Sequence, residues 1–407
     1  MRPHPIVFAF IAASLSLATT ADAATFNWTN NTGGAFATAT NWTPAGIPAT
    51  NDEARFEINN TYTVAFAAST TVNTFSQTRG DITFDMNTNI LRFTNLTNNS
   101  MGSSAGLTST LRITDGLFRP GSLTIGASAG ATSNLILDTA SNTTVGTGPL
   151  LVGQSGTGHL TLQNGAALTA SNGAGLGIAA GGVGNAIVSE SGTGAAWLIE
   201  TAPLRIGGSG TGSMSILSNG GVTAFGLEIG ENLNSVGTLS VGGLLASFTT
   251  AGTANIGGSS PTAVATSATL NVAAGGTVNL NGITNLRTNA KINLTGGTLN
   301  LNTLNVTNGA AVNWQAGTIN FANGSAVTAS LLDTLLAGTN TLGANRTLSA
   351  TAGAMSLTST LIVTGGRIAA PTINLNANMD ISGFSNVIAG TTMTIQAGRT
   401  IQLGDFS

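Results

Sequence analysis

Two stretches of this chain are nearly one text. "LLVGQSGTGHLTLQNGAALTAS" (residues 150–171) and "LRIGGSGTGSMSILSNGGVTAF" (204–225) align without a gap: an apolar residue and Gly, then Ser-Gly-Thr-Gly, then an alternating apolar run, then a Gly-containing turn. The apolar–Gly pair recurs at Ile125-Gly126, Val152-Gly153, Ile206-Gly207, Ile229-Gly230 and Ile256-Gly257, with a degenerate copy at Ile178-Ala179. The intervals are 27, 26, 28, 23 and 27 residues. A period of this size marks a solenoid, because a single repeat cannot bury its own apolar face and must stack on its neighbours.

Inside each repeat the alternation has period two. Leu160 and Leu162, or Met214 and Ile216, are separated by single polar residues, which is the spacing of short strands. The strands are divided by Gly-rich or Asn-Gly corners such as Asn164-Gly165, Asn219-Gly220 and Asn308-Gly309. Gly and Asn tolerate the positive φ of a tight corner. Three short strands and three corners fill one turn of a parallel β-helix. The expected fold is therefore all-β, a parallel β-solenoid with coils of about 26 residues, estimated from the period. Beyond Gly282 the idiom continues less regularly, and "SLLDTLLAG" (330–338), the one short segment with helical spacing, reads as a loop or single turn on the outside.

The chain divides into three expected parts. Residues 1–23 read as a signal peptide: Arg2, an apolar run from Ile6 to Leu17, and Ala21-Asp22-Ala23 as the cleavage site. Export and an extracellular or cell-surface location follow, with no later apolar window long enough for a membrane-spanning helix. Residues 24–120 hold Trp28, Trp42, Tyr62 and eight Phe, and read as an N-terminal cap with the first coils. Large rings suit the plug that a solenoid's open end needs; an aromatic ligand platform is the functional alternative. Residues 121–407 form the repeat region.

The segment "FNWTNNTGGAFATATNWTPAGIPATNDEARF" (26–56) resembles the opening of many bacterial surface proteins, with its W-x-N, NW and P-x-x-x-D-x-A-x-F elements. The repeats resemble the autotransporter-associated β-strand repeats and related extracellular β-helix passengers. The resemblance implies a surface scaffold, with members diverse in function. Similar proteins often carry a C-terminal membrane barrel or a Pro-Glu-Pro sorting tail. Neither pattern is read in this sequence, which runs to "TIQLGDFS", so the export route stays open.

Charge and chemistry are sparse. Charged residues are 7% of the chain, against about 25% in a typical soluble domain, and the net charge of −3 gives no electrostatic reason to expect nucleic acid. Cys is absent, which removes disulfides and thiolate chemistry. β-Helices also host pectin-degrading enzymes, whose sites cluster carboxylates. Glu200 and Glu228, 28 apart, are the pair that stacking coils could bring together, and Glu228 and Glu231 are close in sequence. "GASAG" (126–130) followed by Asp138 and His159 has the order of a hydrolase triad on Ser128, but in a repeat corner instead of the strand–elbow–helix that triad needs. "GGVGNAIV" (181–188) resembles a Ca²⁺-binding nonapeptide but has Ala186 where the liganding Asp belongs. Arg79-Gly80-Asp81 and sequons such as Asn27-Trp28-Thr29 are short enough to occur by chance. No catalytic, cofactor-binding or metal-binding residue is assigned. The expected function is a non-enzymatic extracellular scaffold, an adhesin, stalk or matrix component with glycans or other cell-surface components as partners. The alternative is a carbohydrate-active enzyme or glycan-binding module on the same fold.

Overall fold

The computed structural model describes residues 23–190, 194–381, 388–389 and 392–403. The expected signal sequence up to Asp22 lies outside them. The chain is nearly all-β, with 54% strand against 3% helix. Thirty-three strands form one sheet, and two further sheets of four strands each lie toward the C-terminus. Among the described residues the strand ladders are parallel except where Trp28 meets Trp42 antiparallel, and one isolated antiparallel bridge joins Gly343 to Gly365. Five long strands, Thr108–Arg119, Thr132–Val145, Thr277–Leu286, Ala290–Val306 and Ala311–Phe321, turn a corner without a break and so join neighbouring faces. Twelve parallel strands close into a ring, with the others outside it.

Three rows of inward side chains run through these ladders. In the first, Met101, Ile125, Val152, Leu176, Ile206, Ile229, Ile256 and Leu286 pair in that order, each with no exposed surface. Sequence reading took Ile178-Ala179 as the degenerate copy of the apolar–Gly pair between Val152 and Ile206. Leu176 occupies the place instead, and Ile178 lies outside, its Cδ1 covering the spot where a Cβ on Gly175 would stand. The second row runs Leu111, Leu135, Leu160, Ala186, Met214, Leu239, Leu270, Ile292 and Val312. The third runs Leu168, Trp197, Val222, Phe248, Val278, Leu299, Ile319, Leu348 and Ile368.

The interval between register partners is not fixed near 26. In the second row it runs 24, 25, 26, 28, 25, 31, 22 and 20 residues. Strand registers must hold, because a one-residue slip turns every side chain to the other face. Corners carry the difference. The 31-residue interval contains the loop after Ile256, closed by the Ala265 N–H bonding to Gly257 O at 3.2 Å.

The apolar–Gly pairs have a steric cause. Gly153 takes φ +69°, and a Cβ there would come within 2.0 Å of Val183 O. The last Gly of Ser-Gly-Thr-Gly is equally constrained: a Cβ on Gly158 would lie 2.4 Å from Gly153 N. The repeated text is thus the packing of one corner against the next strand.

At the N-terminal end the interior is aromatic. Trp28, Trp42, Phe56, Tyr62, Phe75 and Phe84 are all buried, and Trp28 meets Trp42 edge-on with ring centroids 5.0 Å apart. Contacts continue through Phe75 to Phe118 at 6.1 Å. These rings pack against one another and are not laid out as an exposed platform. Ladders cross Pro120 without interruption, since Met101 pairs with Ile125 and Leu111 with Leu135.

The segment 330–338, read as an outside loop or turn, is mostly helix. Ala329–Leu336 is N-capped by Thr328, whose Oγ1 accepts from the Leu331 N–H at 3.2 Å, and ends on Ala337 at φ +51°. Leu332, Leu335 and Leu336 are buried, so the helix contributes to the core.

Candidate functional site

Outward residues alternate with the buried rows, and on one face they form two adjacent columns. Ser247, Thr277, Thr298, Thr318 and Thr347 pair in sequence along one. Two residues further along each strand, Thr249, Asn279, Asn300, Asn320 and Ser349 form the other. The amides of this second column are chained. Asn279 Nδ2 donates to Thr249 Oγ1 at 3.0 Å, Asn300 to Asn279 Oδ1 at 2.6 Å, and Asn320 to Asn300 Oδ1 at 2.9 Å. Similar chains link Asn305 to Asn285 to Asn255, and Asn313 to Asn293 to Asn271 to Ser240. An amide offers two donors and two acceptor sites. Within a chain Asn279, Asn300, Asn285 and Asn293 each spend one donor and one acceptor, leaving others for water or a hydroxylated ligand, whereas the buried Asn320 spends its second donor on Thr351 Oγ1 at 2.7 Å. The surface is neutral and polar: it can hydrogen-bond, but it supplies no acid or base.

The acids considered from sequence have other neighbours. Glu200 is exposed beyond its strand Ala196–Ile199 and does not stack on Glu228. The register partner of Glu228 is Arg205 on one side and Asn255 on the other. Arg205 Nε lies 3.5 Å from Glu228 Oε2 and 3.6 Å from Glu231 Oε1, so one guanidinium bridges the two carboxylates. Burial, followed by the neighbouring Glu231 charge, pushes Glu228 above its ordinary value, against the pull of Arg205. Beside Arg205 is a groove of about 280 Å³ with Pro149, Leu151, Ile178 and Pro203 among its walls. Arg205 was missed in the sequence because its role depends on the register that places it under Glu228.

Ser128, Asp138 and His159 do not form a triad. Ser128 Oγ donates to Ser103 O at 2.8 Å. His159 is the register partner of Asn134, four residues before Asp138 and so about 13 Å away along the strand. Its Nδ1 lies 3.4 Å from Asn185 Nδ2, and burial lowers its pKa. Asp138 is a corner clamp. It accepts from Arg112 one interval earlier, from Gln163 at 3.0 Å and Asn164 at 2.7 Å one interval later, and from the Thr139 N–H at 2.8 Å. Burial pushes its carboxyl up, but the bonds from Asn164 and Gln163 and the Arg112 charge outweigh that and hold it below the usual range.

The remaining motifs are also structural. Gly80 and Asp81 open the strand Gly80–Asp85, while Arg79 Nε donates to Glu57 O at 2.6 Å. The nonapeptide-like segment contains the ordinary strand Val183–Val188, with Ala186 buried in the second row. Among the described residues no group of three or more His, Asp or Glu side chains is placed to hold a metal ion. No described helix is long and apolar enough to cross a membrane. No protein-family model, no curated protein and no solved structure matches the chain.

Proposed function

We propose that the chain is a non-enzymatic β-solenoid scaffold of the cell exterior: an adhesin, stalk or matrix component of the kind its repeats resemble. In this reading each interval of 20 to 31 residues is one coil, and the three inward rows are the three walls of the stack. The observation that carries the function is the arrangement of the outer surface. Chained Asn, Thr and Ser columns cover the strands, while Asp138, Glu228 and Ser128 are each engaged in holding neighbouring segments together. Such a surface suits contact with neutral hydroxylated partners, above all glycans. The N-terminal sequence fits cleavage after Ala23, and material recovered from outside the cell should begin at Ala24.

The groove beside Arg205 favours a second reading, a glycan-binding or carbohydrate-active module. One experiment separates the two. The mature protein is incubated with soluble and insoluble plant and bacterial polysaccharides, and reducing ends and unsaturated products are followed. Retention on an insoluble glycan without turnover supports the adhesin. Turnover abolished by Glu228→Gln or Glu200→Gln overturns the scaffold.

A further inference from the structure

The Asn-Gly corners that shape the turns are also the dipeptides most prone to self-modification, and the fold treats the six of them unequally. At Asn164-Gly165 both reacting groups are held: Asn164 Nδ2 donates to Asp138 Oδ1 at 2.7 Å, and the Gly165 N–H donates to the Glu190 carboxylate. Asn172 donates to Thr147 O at 2.9 Å. The Gly220 N–H donates to Leu217 O at 2.8 Å. Asn323 donates to Asn302 Oδ1 at 2.7 Å, and the Gly324 N–H to Phe321 O at 3.3 Å. Gly282 lies inside the strand Thr277–Leu286, where a Cβ would come within 2.3 Å of Gly252 O.

Asn308-Gly309 differs on every count. Both residues are exposed in a two-residue turn between the strands Ala290–Val306 and Ala311–Phe321. The turn is closed by the Ala310 N–H donating to Thr307 O at 3.1 Å, and Thr288 Oγ1 donates to the Asn308 backbone carbonyl at 3.1 Å. Among the described residues neither the Asn308 side-chain amide nor the Gly309 N–H has a hydrogen-bond partner. Gly309, at φ +88°, brings no side chain to shield its nitrogen.

We infer that Asn308 is a site of spontaneous deamidation and isoaspartate formation in the folded protein. The Gly309 amide nitrogen, losing its proton to solvent, attacks Asn308 Cγ. The N–Cγ bond forms and the Cγ–Nδ2 bond breaks, and Nδ2 leaves as ammonia after taking a proton from water. Water then opens the cyclic imide at either carbonyl, giving Asp or isoaspartate. The product places a carboxylate beside Thr288. In the isoaspartate form it also adds a backbone carbon to the corner that sets the register of Asn293 on Asn313.

The test is peptide mapping by mass spectrometry of the intact folded chain, aged at mildly alkaline pH, with a parallel sample aged in denaturant. In the folded sample the Asn308 peptide should gain the amide-to-acid mass shift about tenfold faster than the Asn164 peptide, whose charge-assisted bond at Gly165 must break before attack. In denaturant the two rates should converge. Asn308→Gln should abolish the signal in its own peptide and leave the other five unchanged. Equal folded rates at Asn308 and Asn164, or a difference that persists in denaturant, overturns the inference.

Discussion

A single side chain in the inner rows carries a large share of the fold's tolerance for change. Ile206 is paired between Leu176 and Ile229 with no exposed surface. Ile206→Asp places an unpaired charge inside that row and should cost about 4 kcal/mol or more, read as loss of the folded baseline in a denaturant titration. Glu228 behaves oppositely. Its folded pKa is raised above 4.5, so the folded state holds a proton more tightly than the unfolded chain and stability falls as pH rises from 4.5 through the folded value. Glu228→Gln should therefore melt higher than the parent at neutral pH, with the gap closing as the pH drops below 4.5. Asp138 has the reverse sign. Its contribution is complete above the ordinary value of 3.8 and is lost as the pH falls through the lower folded value. Asp138→Asn should thus lower the melting temperature at neutral pH and converge on the parent in strong acid.

At the scale of elements, the strands were legible in the sequence because their constraint is local and repeated. Alternation fixes which residues face inward, and the apolar–Gly pair marks a corner that admits no Cβ. Reading failed where two local patterns competed. Leu176-Gly177 is itself an apolar–Gly pair, but Ile178 has the same parity two residues later, and only the corner at Gly177, at φ +64°, decides between them. The considered stack of Glu200 on Glu228 would have needed a 28-residue coil, whereas the interval from Arg205 to Glu228 is 23. The helix Ala329–Leu336 did leave a signal, helical spacing with Leu at 331, 332, 335 and 336 behind a Thr cap, but the spacing does not say that the Leu face is buried against the strands and not placed outside. Leu332→Ala should cost about 3 kcal/mol, as cavity-forming Leu substitutions do, and the loss should appear in amide exchange of the strands the helix covers.

Across the whole of the proposed solenoid, side chains contact mainly the intervals above and below them, so order propagates by nearest neighbours along the one continuous apolar core that runs from Trp28 to Ile381. The two ends differ in composition: interlocked rings near Trp28, smaller aliphatic residues near Leu375 and Ile381. The four tryptophans are spread along this axis. Trp28 and Trp42 lie at the first end, Trp197 in the third row midway, and Trp314 near the register partner Leu294, and all four are buried. In the proposed solenoid the chain thereby carries built-in optical markers at three heights. With the other indoles replaced by Phe, each remaining emission should report the melting of its own stretch alone. We expect Trp314 to redden at lower denaturant than Trp197, and the Trp28–Trp42 pair last. A single shared midpoint would instead describe a column that falls in one piece.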